Sequence, residues 1–351
     1  MTRFFTTAAA AAGLAAMLGA PANAAETWRL TQFSGDTSAF YTLTTLPFIE
    51  RVNQLTGGEL VIQPFPAGVI APPFEAYAAV RDGLADAGHL TPLYVVNEDP
   101  ANSFYGGHPG GMAPEQMLAW IYNGGGKELL AEMRREQWGM HSIPLSIGPG
   151  EVWHSHIAVQ SVDDLKGAKF RTAGAFADVL RDYFEGAPTV VPGSEVYTLL
   201  ERKGIDIADW STPSENIKAG LHNAAPYIVT PGAQTNAFLF ELMVPAEKWD
   251  ALSDDLKTKI EAAAKLSTFE TLLAWTTADI EAMKQLEAAG AQFVELPQAV
   301  RDAIREAGRD WAYKKADEQD AAGNPWMRRI ADSYYSFLDD WNEHADYRQI
   351  D

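Results

Sequence analysis

The stretch from Thr27 to Phe65 has the sequence TWRLTQFSGDTSAFYTLTTLPFIERVNQLTGGELVIQPF, and its hydrophobic pattern changes twice. Hydrophobic and polar residues alternate over Thr27–Phe33, which is typical of a β-strand with one buried face. From Ser38 to Leu55 the hydrophobic residues recur at helical spacing, and Gly57-Gly58 ends that segment. A second strand is predicted over Leu60–Phe65. The stretch therefore predicts a strand–helix–strand unit.

The same alternation continues along the chain. A second helix is predicted over Pro73–Leu84 and a third strand over Ala87–Val96. This βαβαβ order predicts a parallel sheet with helices on its faces. A second alternating set begins near Ser142. Its predicted strands are Gly167–Thr172, Pro188–Val191 and Ile205–Trp210, and its predicted helices are Ala175–Phe184 and Ser194–Lys203. The chain is therefore predicted to be an α/β protein with two such sets.

The last third of the chain is predicted to be mainly helical. Ser253 is placed to cap a long helix, and Asp254-Asp255 suits the positive end of its dipole. About 35 residues at 1.5 Å per residue reach about 50 Å, so this helix could brace two lobes. Two more helices are predicted over Pro297–Ala321 and Pro325–Asn342. The stripe expected to be buried on the long helix consists of Leu256, Ile260, Leu266, Phe269, Leu273, Trp275, Ile280, Met283 and Leu286.

Composition excludes several classes of function. The 351 residues include 47 acidic and 27 basic side chains, for a formal charge of -20, and no cysteine. Nucleic-acid binding needs clustered Lys and Arg to neutralise phosphates, so the negative charge argues against it. A chain without cysteine has no disulfide, no thiolate catalysis and no Cys-ligated zinc. The composition is otherwise that of an ordinary globular protein.

The first 24 residues have the features of an export signal. Arg3 precedes a short alanine-rich apolar stretch, Ala8 to Leu18, and Ala22-Asn23-Ala24 is the small-x-small pattern that signal peptidase cleaves. A membrane anchor would need about 20 apolar residues of greater hydrophobicity than alanine. Residues 1–24 are therefore predicted to be a cleaved signal peptide that directs the protein to the periplasm.

One close pair of histidines is a candidate metal site. His154 and His156 would share one face of a strand and, with Glu151, could hold zinc in an exported hydrolase. The alternative is that both are ordinary strand histidines. The sequence contains no HExxH, GxSxG or GxGxxG motif. Because no catalytic constellation is evident, the protein is predicted not to be an enzyme.

An arginine at the end of a predicted strand is a candidate ligand-binding residue. Arg171 is followed by the small residues Thr172-Ala173-Gly174. Ligands of α/β folds bind beyond the carboxyl ends of strands, and a guanidinium there can bind a carboxylate through two hydrogen bonds. Asp209-Trp210 ends another strand of the same set, so both groups could face one crevice. The alternative for Arg171 is a structural ion pair.

Several motifs around these residues resemble the DctP-type solute-binding proteins of TRAP transporters, the tripartite ATP-independent periplasmic uptake systems. In the family's order they are Phe65-Pro66-Ala67-Gly68, Gly124-Gly125-Gly126, Ser161-Val162-Asp163-Asp164-Leu165-Lys166-Gly167, Phe170-Arg171, Glu195-Val196-Tyr197, Leu200-Glu201-Arg202, Ile205-Asp206, Asp209-Trp210, Ala225-Pro226-Tyr227 and Pro231-Gly232. The resemblance runs from about Trp28 to Tyr335. It is closest to the branch that binds 2-oxo acids and lactate with a metal ion.

The resemblance implies a two-lobed α/β fold of the periplasmic-binding-protein type, with a long helix spanning both lobes. Residues 25–146 are then expected to form lobe I and residues 147–232 lobe II. Residues 233–351 would supply a crossover strand, the spanning helix and C-terminal helices packing on both lobes. Some relatives dimerise through an additional C-terminal helix. Because the chain leaves little room for one after Trp341, a monomer is expected.

The resemblance also implies a ligand set. Arg171 falls on the family arginine that clamps the ligand carboxylate. In the metal-using branch a Glu-Trp pair supplies a side-chain oxygen and a backbone carbonyl, and Asp209-Trp210 occupies its place. A glutamine ligand of that branch falls on Glu151. A further glutamate ligand falls near Thr235, beside Gln234. Such oxygen ligands suit Na⁺ or Ca²⁺, and two carboxylates favour Ca²⁺.

The expected function is that of a periplasmic binding protein capturing a small monocarboxylate, of the 2-oxo acid or lactate type, with a bridging cation. Tyr94 falls on a tyrosine of the branch, and Tyr94, Trp153 and Trp210 are expected to enclose the carbon skeleton, although core packing is an equal alternative for Trp153. A membrane permease is the implied partner. The altered Gln234-Thr235 region leaves open a metal-free binder of sugar acids or dicarboxylates.

Overall fold

The computed structural model describes residues 26–345, and the predicted signal peptide lies outside them. The strands are β1 (Glu26–Gln32), β2 (Leu60–Phe65), β3 (Ala87–Leu90), β4 (Met140–Gly148), β5 (Trp153–Ser155), β6 (Lys169–Arg171), β7 (Ala187–Thr189), β8 (Ile207–Asp209), β9 (Tyr227–Thr230), β10 (Phe238–Pro245) and β11 (Gln292–Glu295). The helices are α1 (Leu46–Thr56), α2 (Ala76–Arg81), α3 (Ser103–Gly106), α4 (Pro114–Asn123), α5 (Gly126–Trp138), α6 (Ala175–Phe184), α7 (Gly193–Glu201), α8 (Pro213–Lys218), α9 (Leu221–Ala224), α10 (Ala246–Asp250), α11 (Asp254–Ala288), α12 (Gln298–Ala321) and α13 (Trp326–His344).

The first lobe, lobe I, is built on a five-stranded sheet with the order β2-β1-β3-β10-β4. β1 pairs in parallel with β2 and β3, which confirms the parallel pairing predicted from the βαβαβ order. The crossover strand β10 inserts between β3 and β4 and runs antiparallel to both. Because β10 follows β5 to β9 of the second lobe in sequence, it returns the chain to lobe I and links the two lobes.

The second lobe, lobe II, is built on a six-stranded sheet with the order β11-β9-β5-β8-β6-β7. β6 runs parallel to its neighbours β7 and β8, whereas β5 runs antiparallel to β8 and β9. Arg171 is the last residue of β6 and Asp209 the last residue of β8. Adjacent parallel strands therefore deliver both side chains to the same edge of the sheet.

Two sequence-based element predictions need correction in these lobes. The strand predicted over Ala87–Val96 ends at Leu90, and a 3-10 turn over Pro92–Val95 follows it. Proline has no N–H to give to the sheet and fixes its own φ, so the chain turns here and carries Tyr94 out of the sheet. The short strand β11 was not predicted, because only its pairing with β9 defines it.

The spanning helix α11 has the predicted length and cap, since Ser253 Oγ accepts the N–H of Leu256. Its predicted apolar stripe is only partly correct. The buried face includes small residues between the expected positions, namely Ala263, Ala264, Ser267, Thr268 and Thr271. Small side chains let the helix lie close to β4, and Thr268 Oγ1 donates to the Pro144 carbonyl at 3.4 Å. The larger residues that face solvent instead are Leu266, Phe269, Leu273 and Ile280.

The C-terminal helices contact both lobes. In α12, Asp310 accepts a 2.6 Å hydrogen bond from Tyr183 of α6 in lobe II. In α13, Tyr335 shares a 2.6 Å hydrogen bond with His108, which follows α3 in lobe I. Within residues 26–345, none of the helices combines the length and the apolar character needed to cross a membrane.

Candidate functional site

A cavity of about 30 Å³ lies between the lobes. It is lined by Phe33, Phe40, Thr91, Leu93, Tyr94, Gly106, Glu151, Arg171, Ala173, Asp209, Trp210, Thr235, Phe238 and Phe240. The structure therefore brings together most of the side chains that the sequence singled out. The exceptions are Trp153 and Gln234, which lie behind the cavity wall.

Arg171 is held rigidly at the carboxyl edge of the lobe II sheet. Its side chain is almost completely buried. Nη1 donates to the Asp209 carbonyl at 2.6 Å and to Asp209 Oδ1 at 3.2 Å, while Nε and Nη2 donate to the Val191 carbonyl at 3.2 and 2.8 Å. The guanidinium also lies 5.4 Å from the centre of the Trp210 ring. These contacts fix the plane of the guanidinium at the cavity wall.

Asp209 is a buried carboxylate with charged and neutral partners. Besides Arg171, it accepts a 2.7 Å hydrogen bond from Thr172 Oγ1 to Oδ2. Burial raises the pKa of Asp209 to about 6, although Arg171 and the hydrogen bond from Thr172 act in the opposite direction. The loop of small residues after Arg171 thus supplies the partner that orients the second oxygen.

Glu151 is a second buried carboxylate in the same cavity. Gln234 Nε2 donates to its Oε2 at 3.1 Å. Burial raises the pKa of Glu151 to about 8, the charge of Asp209 adds to the rise, and Arg171 opposes it. Burial therefore disfavours the ionised carboxylate, and additional positive charge nearby would favour it.

The charges at the polar end of the cavity do not balance. Glu151 and Asp209 carry two negative charges when ionised, and Arg171 carries one positive charge. Thr235 adds a hydroxyl to this end, and its carbonyl accepts the N–H of Glu151 at 3.1 Å. Two carboxylates and a hydroxyl are hard oxygen ligands of the kind that Na⁺ and Ca²⁺ prefer. The residues present therefore fit a cation, which would neutralise the excess negative charge.

The position of Trp153 corrects the expectation that it walls the cleft. Its side chain is completely buried and packs in the lobe II core, with ring centres 5.1 Å from Phe170 and 6.2 Å from Phe176. Its Nε1 donates to Gln234 Oε1, and Gln234 in turn donates to Glu151. Trp153 and Gln234 therefore support Glu151 from behind, where the spacing of motifs alone could not place them.

Four phenylalanines that sequence reasoning missed form the apolar end of the cavity. They are Phe33, Phe40, Phe238 and Phe240, each at most 4% exposed. The rings of Phe33 and Phe240 stack at 5.0 Å, and Phe40 meets both at 5.0 to 5.1 Å. The alternation of Phe238 and Phe240 on one strand is a period-two signal that could have placed both rings on one face.

Trp210 and Tyr94 close the cavity from opposite lobes. The Trp210 ring lies against the backbone at Gly193, where an added Cβ would come within 2.1 Å of a ring atom. This position therefore requires glycine if the ring is to stay in place. Tyr94 meets the Phe33 ring edge-on at 6.1 Å. Burial raises the pKa of Tyr94 to about 12, so the phenol is neutral at physiological pH.

The histidine pair does not join the cavity. His154 is completely buried, and neither of its ring nitrogens has a hydrogen-bond partner. His156 uses Nε2 to contact the Leu200 carbonyl at 2.9 Å. Neighbouring residues on a strand face opposite ways, so His154 points away from the side of Trp153. Within residues 26–345 no three His, Cys, Asp or Glu side chains are grouped to hold a metal, so His154, His156 and Glu151 do not form the expected zinc site.

Comparisons with known proteins agree with this architecture. Residues 33–319 match the family model described as "DctP: Bacterial extracellular solute-binding protein, family 7". The chain is 29% identical, over 77% of its length and 76% of the relative's, to a monocarboxylate 2-oxoacid-binding periplasmic protein of Nostoc sp..

Two solved structures are similar over most of the chain. One is a TRAP transporter solute-binding protein from Bordetella bronchiseptica with calcium and picolinate (25% identity, TM-score 0.84, covering 93% of this chain and 96% of that one). The other is a TRAP periplasmic solute-binding protein from Pseudoalteromonas atlantica with sodium and pyruvate (27% identity, TM-score 0.84, covering 92% and 97%).

Proposed function

Since this chain belongs to the bacterial extracellular solute-binding proteins of family 7, the DctP family, we propose that it captures a small organic monocarboxylate together with a bridging cation. Members of this family bind solutes for transporters and are not enzymes, and the chain is a TRAP solute-binding protein. The ligand class and the residues that hold it are the proposal.

The excess negative charge beside Arg171 carries this proposal. When both carboxylates are ionised, one guanidinium leaves one negative charge over, and an incoming monocarboxylate would add a second. A bound cation would favour this ionised form of Glu151. A divalent cation would bring the sum to zero, whereas a monovalent cation would leave one negative charge. Ca²⁺ therefore fits better than Na⁺, because buried charge is stable only when it is paired.

Each polar residue then has a role. Arg171 would bind the ligand carboxylate, with Trp210 and Tyr94 covering the carbon skeleton. Glu151, Asp209 and the hydroxyl of Thr235 would hold the cation together with the main-chain carbonyl of Trp210. The cation would supply positive charge to a carboxylate oxygen and to an oxygen or nitrogen next to it on the ligand. Calcium with picolinate and sodium with pyruvate, in the two similar structures, support this pairing.

The apolar end of the cavity favours a monocarboxylate over a sugar acid. Phe33, Phe40, Phe238 and Phe240 offer no hydrogen-bonding groups to a hydroxyl. A buried hydroxyl without a partner costs about 1–3 kcal/mol, and a sugar acid would bring several. A second carboxylate of a dicarboxylate would meet the same apolar wall.

The surrounding biology follows from the family and the sequence. We propose that residues 1–24 are a cleaved signal peptide, that the mature protein works in the periplasm as a monomer, and that it delivers ligand to a TRAP membrane permease. Residues 25–146 and 147–232 would move as the two lobes, with residues 233–351 linking them. The described lobe I strand β4 continues two residues past this division, to Gly148.

The experiment is a ligand screen on the mature protein, residues 25–351. Pyruvate, lactate, picolinate, succinate and glucuronate are tested by thermal shift and calorimetry in Ca²⁺, in Na⁺ and in chelator with a large organic cation as the only salt. We expect a monocarboxylate to bind tightest and Ca²⁺ to strengthen it. Tighter binding of glucuronate or succinate, or monocarboxylate affinity that no cation changes, would contradict the proposal.

A further inference from the structure

A carboxylate of lobe II reaches across to lobe I beside the cavity. Glu215 lies in α8, and its Oε2 accepts the backbone N–H of Ala39 at 2.6 Å. Glu215 is 7% exposed and Ala39 is fully buried. Water therefore has little access to this hydrogen bond, which makes it stronger than a surface contact of the same length.

The hydrogen bond caps a helix of the other lobe. Ala39 is the N-cap of the π-helical segment Phe40–Thr45, which continues into α1. Ser38 Oγ accepts the N–H of Tyr41 at 3.3 Å, whereas the N–H of Ala39 is bonded by Glu215. The first N–H groups of a helix have no partner within the helix, and a negative charge at this end is favourable. Lobe II therefore supplies the acceptor for the Ala39 N–H at this helix end.

The spanning helix holds the arm that carries Glu215. Asp279 Oδ1 on α11 accepts hydrogen bonds from Thr212 Oγ1 and from the backbone N–H of Ser214, both at 2.8 Å. These contacts fix the start of α8 on α11, and Glu215 is the next residue. The carboxylate is therefore presented to lobe I from a fixed base.

The same contact is linked to the cavity through its neighbours in sequence. Phe40, directly after Ala39, lines the cavity and meets the Trp210 ring of lobe II edge-on at 6.2 Å. Trp210 and Glu215 belong to the segment between β8 and the end of α8. Glu215 itself does not line the cavity. Any effect of Glu215 on the ligand must therefore act through the position of Phe40 and Trp210.

We propose that Glu215 is a positioning residue for ligand capture: its bond to Ala39 forms as the lobes close and holds Phe40 against Trp210. The contact joins residues 176 positions apart in sequence and on different lobes, so separation of the lobes at this edge would break it. Because Glu215 does not line the cavity, we expect its contribution to be the same for every ligand that the cleft accepts.

The absence of cysteine from the sequence permits a direct test of closure. Val69 on lobe I is 62% exposed and Val190 on lobe II is 52% exposed, so V69C and V190C can carry spin labels. Distances between the labels are measured by pulsed electron paramagnetic resonance, without ligand and with pyruvate plus Ca²⁺. The compared proteins are wild type, Glu215→Ala, Glu215→Gln and the control Glu195→Ala, which removes an exposed carboxylate of the same lobe.

We expect Glu215→Ala to shift the distances towards longer values in at least one of the two conditions. We also expect it to weaken pyruvate and picolinate binding by the same factor, about tenfold, with faster dissociation. Glu215→Gln keeps an acceptor for the Ala39 N–H and should restore most of the affinity. Glu195→Ala should match wild type.

The outcomes separate this inference from the proposed function. Unchanged distances in Glu215→Ala under both conditions would overturn the inference, even if its melting temperature fell. Unequal factors for pyruvate and picolinate would overturn it as well, because they would indicate contact with the ligand. If wild type binds neither acid, the proposed ligand class fails, and the ligand-free distances still decide the role of Glu215.

Discussion

The molecule contains two buried arginine–carboxylate pairs that look alike in isolation. In lobe I, Arg134 and Glu241 are both completely buried, with 2.7 Å between Nη2 and Oε1. In the cleft, Arg171 and Asp209 are 3% and 6% exposed, with 3.2 Å between Nη1 and Oδ1. Burial and pairing alone do not distinguish a structural pair from a functional one.

The carboxylate of the lobe I pair is satisfied by its surroundings, although Arg134 Nη1 is buried without a hydrogen-bond partner. Glu241 accepts from Nε and Nη2 of Arg134 and also from Tyr77 and Ser142. The guanidinium of Arg134 lies 4.4 Å from the centre of the Trp138 ring. One positive charge meets one negative charge, and neither residue is among those lining the cavity between the lobes. The charges of this pair therefore balance without a further ion.

The cleft pair is unbalanced by a second carboxylate. When ionised, Glu151 adds a negative charge that Arg171 offsets only in part, and burial and the charge of Asp209 raise the pKa of Glu151 to about 8. The pair also lines a cavity. The comparison teaches that unneutralised charge facing a cavity, rather than a buried pair as such, indicates a binding site.

The largest effect is expected when Arg134 is removed from the balanced pair. Arg134→Met should lower the free energy of unfolding by about 3–5 kcal/mol, because it leaves Glu241 buried without a counter-charge. Urea unfolding followed by circular dichroism measures the loss, with the exposed Arg202→Met as control. A double variant, Arg134→Met with Glu241→Met, should recover part of it. A loss below about 1 kcal/mol in the single variant would mean that the two sites do not differ as described.

The next largest effect is expected when Arg171 is removed from the cleft. Arg171→Ala should weaken the tightest acid of the ligand screen by about a hundredfold or more, because the ligand carboxylate and both protein carboxylates lose their cationic partner. Its unfolding free energy should fall less than that of Arg134→Met, since the cleft can open and admit water. Calorimetry and urea unfolding on the same preparation give both numbers. Unchanged affinity would remove Arg171 from the site.

The sequence predicted one of these arginines and could not predict the other. Arg171 ends a strand beside small residues, within motifs that resemble a known family, so its place at the carboxyl edge of a sheet could be inferred. Arg134 stands next to Arg135 on a helix, and Arg135 is 47% exposed. Nothing local distinguishes the two, because the partner of Arg134 comes 107 residues later.

Local sequence also could not predict which side chains of the long helix are buried. The parallel pairing of β1 with β2 and β3 and the length of α11 followed from periodicity and capping, whereas the buried face of α11 did not. Ala263, Ala264 and Thr268 are buried there because the strand β4 lies close enough to exclude larger side chains. Leu273 is 69% exposed although it fits the helical stripe. Hydrophobicity predicts that a face is buried, but the distance to the next element decides which face it is.

A substitution with a smaller expected effect, Glu151→Gln, removes the excess negative charge from the cleft. Glu151→Gln should weaken Ca²⁺ binding by about tenfold or more, because a neutral amide replaces an anionic ligand. In chelator, the variant should be more stable than wild type by about 1–3 kcal/mol at pH 8.5, where the buried carboxylate is charged. Calorimetry with Ca²⁺ and urea unfolding in chelator test the two parts.

The sign of the pH dependence follows from the raised pKa of Glu151. At pH values between about 8 and the ordinary pKa of a glutamate, Glu151 is protonated in the folded protein and ionised in the unfolded chain. A fall in pH over this range therefore stabilises wild type relative to the variant. The advantage of Glu151→Gln should therefore shrink as the pH falls from 8.5 to 5. An advantage that stays constant with pH would show that Glu151 is not the source of the excess charge.

The smallest effect concerns a buried titratable group that has neither a partner nor a cavity. Burial lowers the pKa of His154 to about 3, with His222 adding to the shift, so the folded state keeps this ring neutral while the unfolded chain protonates it below about pH 6.5. This residue should therefore cost about 1 kcal/mol of unfolding free energy between pH 7.5 and 5.5. From pH 7.5 to 5.5, the unfolding free energy of His154→Leu should fall by about 1 kcal/mol less than that of wild type. Its ligand affinity should not change. The control His344→Leu, at an exposed position, should follow wild type. An equal fall in His154→Leu and wild type would mean that His154 is hydrated or partnered in solution, and changed affinity would mean that a group outside the cavity contributes to the site.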